Sequence, residues 1–206
     1  MKYCTFVYMN EIEILIDHFS KHVTLTEDEK RILSEHFHYE FVAKRQLIIQ
    51  PNFTPTHRYY VAKGAFRAYL ICKEGQDHTI QFAVDDWWIT DFNNYIHQEP
   101  ASLFVSALED SHVLKISYTA EEQLKAMNHK FETFFRIMAE RAVAGMQRRI
   151  ISNLTQTAEI RYERFLESYP AFAERMPQYA VASYLGMTTE YLSRLRRKRV
   201  SQKKLN

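Results

Sequence analysis

The stretch from Pro177 to Arg199, PQYAVASYLGMTTEYLSRLRRKR, limits the folds open to this 206-residue chain more than any other segment. Pro177 suits a helix start, where a missing N–H costs no hydrogen bond. Val181, Ala182 and Leu185 share one apolar face, and Gly186 then interrupts the run. Thr188 offers a side-chain oxygen to open a second helix, whose inner face is Leu192 and Leu195. Two short helices joined by a tight glycine turn make a helix-turn-helix. Counted from Gln178 as the first of twenty positions, seven residues agree with that motif. Ala182 takes the crowded fifth position and Gly186 the ninth, with Val181, Leu185, Met187, Leu192 and Leu195 at the apolar ones.

The outward face of the second helix, read over 188–199, carries groups that match nucleic acid. Arg194 and Arg197 can fork onto guanine and Glu190 can accept from cytosine, with Thr189 and Ser193 beside them. The helix start at Thr188 presents free backbone N–H groups to a phosphate. Arg196, Lys198, Arg199, Lys203 and Lys204 add attraction that is independent of base sequence and weakened by salt. From Arg194 onward the chain has seven Lys/Arg and no acid, although the formal net charge is only +2; residues 1–193 hold 20 Lys/Arg against 25 Asp/Glu, a net −5. This asymmetry points to a polyanion partner, double-stranded DNA, at the C-terminal end.

The rest of the chain reads in two further parts. Residues 10–37 have helical spacing, with Ile12, Leu15, Ile16 and Phe19 on one face; Thr26 is then an N-cap ahead of Ile32, Leu33 and Phe37. From about 40 to 116 the period changes to that of strands. RYYVAKGAFRAYLI and DHTIQFAV flank a turn at CKEGQ, QLIIQPNFTP runs into a proline turn, and SLFVSALEDSHVLKI reads as two strands. Short strands at such intervals predict an antiparallel, jelly-roll-like β-roll. On a strand, Trp87 and Trp88 would point to opposite faces, one into the roll and one outward near a helix. Thr119 and Glu122 have capping-box spacing.

A long helix follows from about 129 to 153. Phe131, Phe135, Met138, Ala142 and Gly145 recur at heptad spacing, and small residues in its middle would admit a second helix closely, so it is expected to form a homodimer seam. The predicted class is α+β: a β-roll with flanking helices over 1–127, a dimerisation helix over 128–153 and an all-α helix-turn-helix domain over 154–206. No secretory leader and no apolar stretch of about 18 residues is evident, so no membrane is expected. Cys4 and Cys72 form no disulfide or metal pattern, which fits a reducing cytoplasm.

This order of parts resembles the Crp/Fnr family of bacterial transcription regulators over nearly the whole chain. YYVAKGAFRAYLI looks like the family's strand–Gly–strand signature, with Gly64 at the turn, and ALEDSHVLKISYTAEEQL like its last roll strands and the following helix. Thr189, Glu190 and Arg194 stand where the family has base-reading Arg, Glu and Arg, so Thr189 is a departure that alters the target sequence. YERFLESYPAFAERMPQYAVASYLGMTTEYLSRLR looks most like the branch common in the Bacteroidetes. The resemblance implies a dimer on a palindromic site, with RNA polymerase as protein partner.

Members of that family that bind cyclic nucleotides hold the phosphate and ribose with Gly-Glu and, some ten residues later, Arg-Ser/Thr. Here Thr90-Asp91 and Pro100-Ala101-Ser102 stand in those places, and no Arg occurs between Arg67 and Arg136. Thr90, Asp91, Ala101 and Ser102 are the candidate effector pocket, without the cation that would neutralise a phosphate, so cyclic AMP is not expected to bind in the family manner. A different small-molecule effector, or none, is left. Two isolated cysteines cannot hold an iron–sulfur cluster, and His18 and His22, at i,i+4, have no evident third metal ligand; no cofactor or metal is expected. A cupin-like enzyme would need a His/carboxylate metal set, and His78 and His112 do not supply one. The alternative to a regulator is a ligand-binding or protein-interaction module with a vestigial helix-turn-helix.

Overall fold

The computed structural model describes residues 2–203, with side chains described for 10–170 and 174–201. Lys204, and the side chain of Lys203, lie outside the described residues. The chain forms two compact units, Met1–Ala68 with Gln81–Ala142, and Tyr69–Ile80 with Val143–Asn206.

In the first unit, helices α1 (Lys2–Ser20) and α2 (Glu27–His36) precede the strands. Thr26 caps α2 as expected, in a full capping box with Glu29. Glu29 also accepts from Asn128 at 2.6 Å and pairs with Lys130 at 2.8 Å. The Lys130 hydrogen bond is the main cause that holds the Glu29 carboxyl down at about 2.

The strands are β1 (His38–Val42), β2 (Leu47–Ile49), β3 (His57–Lys63), β4 (Ala65–Ile71), β5 (Asp77–Val84), β6 (Trp87–Ile89), β7 (Phe104–Ala107) and β8 (Ser111–Ser117). They form two four-stranded sheets, ordered β1-β8-β3-β6 and β2-β7-β4-β5. The short helix α3 (Phe92–His97) follows β6, and α4 (Tyr118–Met127) leads into α5 (His129–Thr155). Strand alternation sorts the side chains between two cores. Val42, Val61 and Val113 from one sheet meet Phe66, Ala83 and Val105 from the other inside the roll. Tyr60, Leu114 and Ile116 face outward and are covered by Leu15 and Phe19 of α1, Leu33 of α2 and Phe131, Phe134 and Phe135 of α5.

The two tryptophans divide as the period of two requires: Trp87 packs against the roll interior and Trp88 against the helical core. Gly64 turns β3 into β4 at φ +128°, and a Cβ there would lie 2.1 Å from Ser111 Oγ and 2.8 Å from Ser111 Cα. That closeness explains a glycine between two aromatic-rich strands. One expected cap is corrected. Ser117, not Thr119, caps α4, accepting from the Ala120 N–H at 3.1 Å. Strand β8 passes directly into the helix, so Thr119 already lies inside its first turn and Glu122 pairs instead with Lys125.

His18 lies at the junction of α1, β6 and α5. It is buried, takes a hydrogen bond from Trp88 Nε1 at 3.3 Å and sits against the Tyr60 and Phe134 rings. Burial outweighs the nearby Asp86 charge and lowers its pKa to about 4. The folded chain therefore keeps His18 neutral while the unfolded chain takes up a proton. Stability is expected to fall by about 3 kcal/mol as pH drops from 6.5 to 4. Urea titrations across that window should show the slope, and a His18→Leu variant should have a flatter one.

Candidate nucleic-acid interface

The second unit holds the second half of α5, then α6 (Ala158–Ser168), α7 (Pro170–Arg175), α8 (Gln178–Tyr184) and α9 (Thr189–Lys203). Thr157 caps α6, accepting from the Ile160 N–H. Ala180, Val181 and Ala182 of α8, Leu185 in the turn, and Leu192 and Leu195 of α9 are buried with Tyr162, Phe165 and Met176. Of the apolar positions read from the sequence, all but the half-buried Met187 lie in the core of this unit. Gly186 adopts φ +66°, a left-handed conformation that lets α8 stop within one residue. The Met187 N–H returns to Ala182 O at 3.0 Å, and Arg161 donates to Leu185 O at 3.1 Å, so the turn is held from both sides. Thr188 caps α9 through the Tyr191 N–H at 3.2 Å.

The 15 residues of α9 span about 22 Å. Thr188, Thr189, Glu190, Arg194, Arg196, Arg197 and Lys198 are exposed, and Ser193 and Arg199 are half-buried. Glu190, Arg194 and Arg197 follow one another at spacings of four and three, along one stripe of the helix. Arg199 turns back toward Glu163 at 3.5 Å. The sequence reading missed Tyr191: its hydroxyl donates to Glu159 at 2.9 Å, and the Arg194 guanidinium lies 5.3 Å from its ring centroid. That hydrogen bond raises the Tyr191 pKa and keeps the phenol protonated. The ring at the third position after the cap was visible in the sequence, but its partner 32 residues away was not.

Two further braces belong to this unit. Arg149 of α5 donates to the carbonyls of Thr79, Ile80 and Tyr184 and stacks on the Tyr184 ring at 4.1 Å. Ser183 accepts from the Thr79 N–H at 2.8 Å and donates to Asp77 O at 3.0 Å. The tip of the β4–β5 hairpin therefore grips the end of α8.

The residues expected on the dimer seam separate along α5. Phe131 and Phe135 are buried in the first unit's own core, and Met138 packs against it. Ala142 is exposed and Gly145 half-buried. From Val143 onward, Val143, Met146, Ile150 and Leu154 are exposed at 65%, 62%, 54% and 80%, at spacings of three, four and four.

Of the candidate pocket, Thr90, Asp91 and Ala101 are buried, and Asp91 is joined to Ser102 by hydrogen bonds. Thr90 Oγ1 donates to His57 O at 3.1 Å. No group of three His, Cys, Asp or Glu that could hold a metal occurs among the described residues. His18 faces Trp88 and His22 faces Arg141. None of the described helices is long and apolar enough to cross a membrane.

No family model matches this sequence, and no curated protein matches it. Solved structures do match. FixK2 from Bradyrhizobium japonicum aligns at a TM-score of 0.72 and 18% identity, over 81% of this chain and 85% of that one. CLP, the c-di-GMP-responsive global regulator of Xanthomonas campestris, aligns at 0.69 and 13%, over 86% and 93%. A protein from Eubacterium rectale assigned to the Crp/Fnr family aligns at 0.65 and 16%, over 86% and 85%. This chain has the Crp/Fnr fold. In Crp/Fnr terms the first unit is the antiparallel roll with its helices, α5 is the long helix that follows it, and α8–α9 is the helix-turn-helix.

Proposed function

We propose that this chain is a dimeric DNA-binding transcription regulator of the Crp/Fnr type, of the branch common in the Bacteroidetes. The observation that carries the reading is α9, with Leu192 and Leu195 buried beneath and Glu190, Arg194 and Arg197 exposed above. Base-reading groups thus stand on a helix whose inner face is fixed by packing. The exposed apolar stripe of α5 supports a twofold partner, which would set two α9 helices about 34 Å apart, in successive major grooves of a palindromic site. RNA polymerase is the protein partner such a regulator would engage. The roll does not answer cyclic AMP in the family manner, since no arginine stands between Arg67 and Arg136 to meet a phosphate.

Arg194→Ala and Lys198→Ala separate specificity from general affinity. Arg194→Ala is expected to cost about 1–3 kcal/mol at one base position and relax preference there. Lys198→Ala should weaken binding to all sequences alike and lower the salt slope by about 1. Fluorescence anisotropy on a panel of single-base variants at several salt concentrations reads both. Equal losses on every sequence for both variants would remove Arg194 from base reading.

A further inference from the structure

Four donors in the first unit converge on a single oxygen. Asp91 Oδ2 accepts from the backbone N–H groups of Ser102 at 2.8 Å and Leu103 at 3.0 Å. It also accepts from the Ser102 hydroxyl at 3.3 Å and the Asn94 amide at 3.2 Å. Asp91 is 2% exposed. All four donors are neutral, and two of them are successive main-chain N–H groups, which is how a backbone nest binds an oxyanion.

The nest is held from outside as well. The neighbouring Ala101 N–H donates to Phe53 O at 3.0 Å, and Ala101 O accepts from the Asn52 N–H at 3.2 Å. The Asn94 amide also donates to Pro100 O at 2.8 Å, which fixes its orientation. The loop therefore aims the N–H groups of Ser102 and Leu103 at one point by bonds that do not involve Asp91.

We propose that Asp91 is a built-in ligand: its carboxylate permanently fills an oxyanion site in the roll, so the site is occupied without any external effector. The inference rests on the reading that the roll does not take cyclic AMP, and gives that reading a physical cause. An incoming phosphate would find its donors already bound and would meet the charge of a buried carboxylate.

Chemical rescue tests this on the full chain. Asp91→Gly removes the carboxylate and leaves the nest facing a void. Its Tm should fall by roughly 5–10 °C in chloride and rise again, saturably, in acetate, formate or inorganic phosphate at matched ionic strength. The unaltered chain should show only the gradual, non-saturating change that these salts give to any folded surface. Asp91→Asn fills the space and can turn its amide oxygen to the four donors but carries no charge, so it should lose less stability than Asp91→Gly and show no rescue. If Asp91→Gly does not fold in chloride, it should fold in acetate. An Asp91→Gly chain as stable as the original, or one that no anion rescues, overturns the proposal. Cyclic AMP titrated into the unaltered chain by calorimetry separates the two readings. Heat of binding there contradicts the effector-independent roll, whereas a failed rescue without such binding contradicts the built-in ligand alone.

Discussion

Replacing Ile150 and Leu154 together by glutamate is expected to give a monomer whose affinity for a twofold DNA site is at least about 100-fold weaker. Both residues are more than half exposed, and they continue the stripe that begins at Val143 and Met146. Four large apolar side chains along one helix are an unusual surface for a lone chain, and their spacing is that of a helix-packing seam. In a twofold contact the same stripe serves both chains, so each substitution would bring carboxylates from two chains into one apolar seam. If the proposed dimer is lost, the two α9 helices would no longer be tethered and binding would be monovalent. Sedimentation equilibrium gives the oligomeric state and anisotropy the affinity. A variant that remains a dimer would move the seam elsewhere. The same change made at Phe135 should instead disturb folding, because that ring belongs to the chain's own core.

The second large effect concerns stability. Glu121→Ala is expected to cost about 3–5 kcal/mol. Glu121 is 1% exposed and receives the Tyr95 hydroxyl at 3.0 Å. It pairs with Arg58 at 3.2 Å and Lys125 at 2.7 Å. The Arg58 guanidinium lies among the rings of Phe92, Tyr95 and Phe135, all within 5.4 Å of their centroids. Truncating Glu121 leaves a buried cation with rings but no carboxylate, and the loss is dominated by that unpaired charge. The neighbouring pair supplies the control. Glu122 is half exposed where it meets Lys125, so Glu122→Ala should stay within about 0.5 kcal/mol of the original. Urea unfolding of the two variants reads the contrast, and similar midpoints would show that the buried charge cluster contributes little.

Much of this architecture was legible in the sequence because it follows from period. The alternation of β3 sorts Tyr60 outward and Val61 inward, and the same rule separates Trp87 from Trp88. Val181, Leu185, Leu192 and Leu195 became a core because their spacing leaves two helices and a turn few other ways to bury them. The seam shows where period stops informing. Phe131 and Phe135 recur at heptad spacing, but an apolar stripe packs equally well against its own sheet or against a second chain. Only the structure shows that the first half of α5 is used up on the roll.

The site details missed from sequence all depend on distant partners. Tyr191 meets Glu159, Arg149 meets the carbonyls of Thr79 and Ile80, and Asp91 meets the backbone of Ser102 and Leu103. Main-chain groups carry no identity in the sequence, so a carboxylate bound by backbone N–H groups reads only as an isolated acid. The absence of arginine between Arg67 and Arg136 pointed to a missing cation; it could not show that Asp91 accepts from the Ser102 and Leu103 N–H groups.

We propose above that α9 reads DNA as one of a twofold pair. Binding-site selection from a random duplex library, with the enriched sequence then titrated across salt concentrations, tests it most directly. The expected result is a palindrome with half-site centres about 10–10.5 base pairs apart or a multiple of that, and an affinity that falls steeply with salt on a log–log plot. Recovery of no palindrome, or an affinity indifferent to salt, would contradict it.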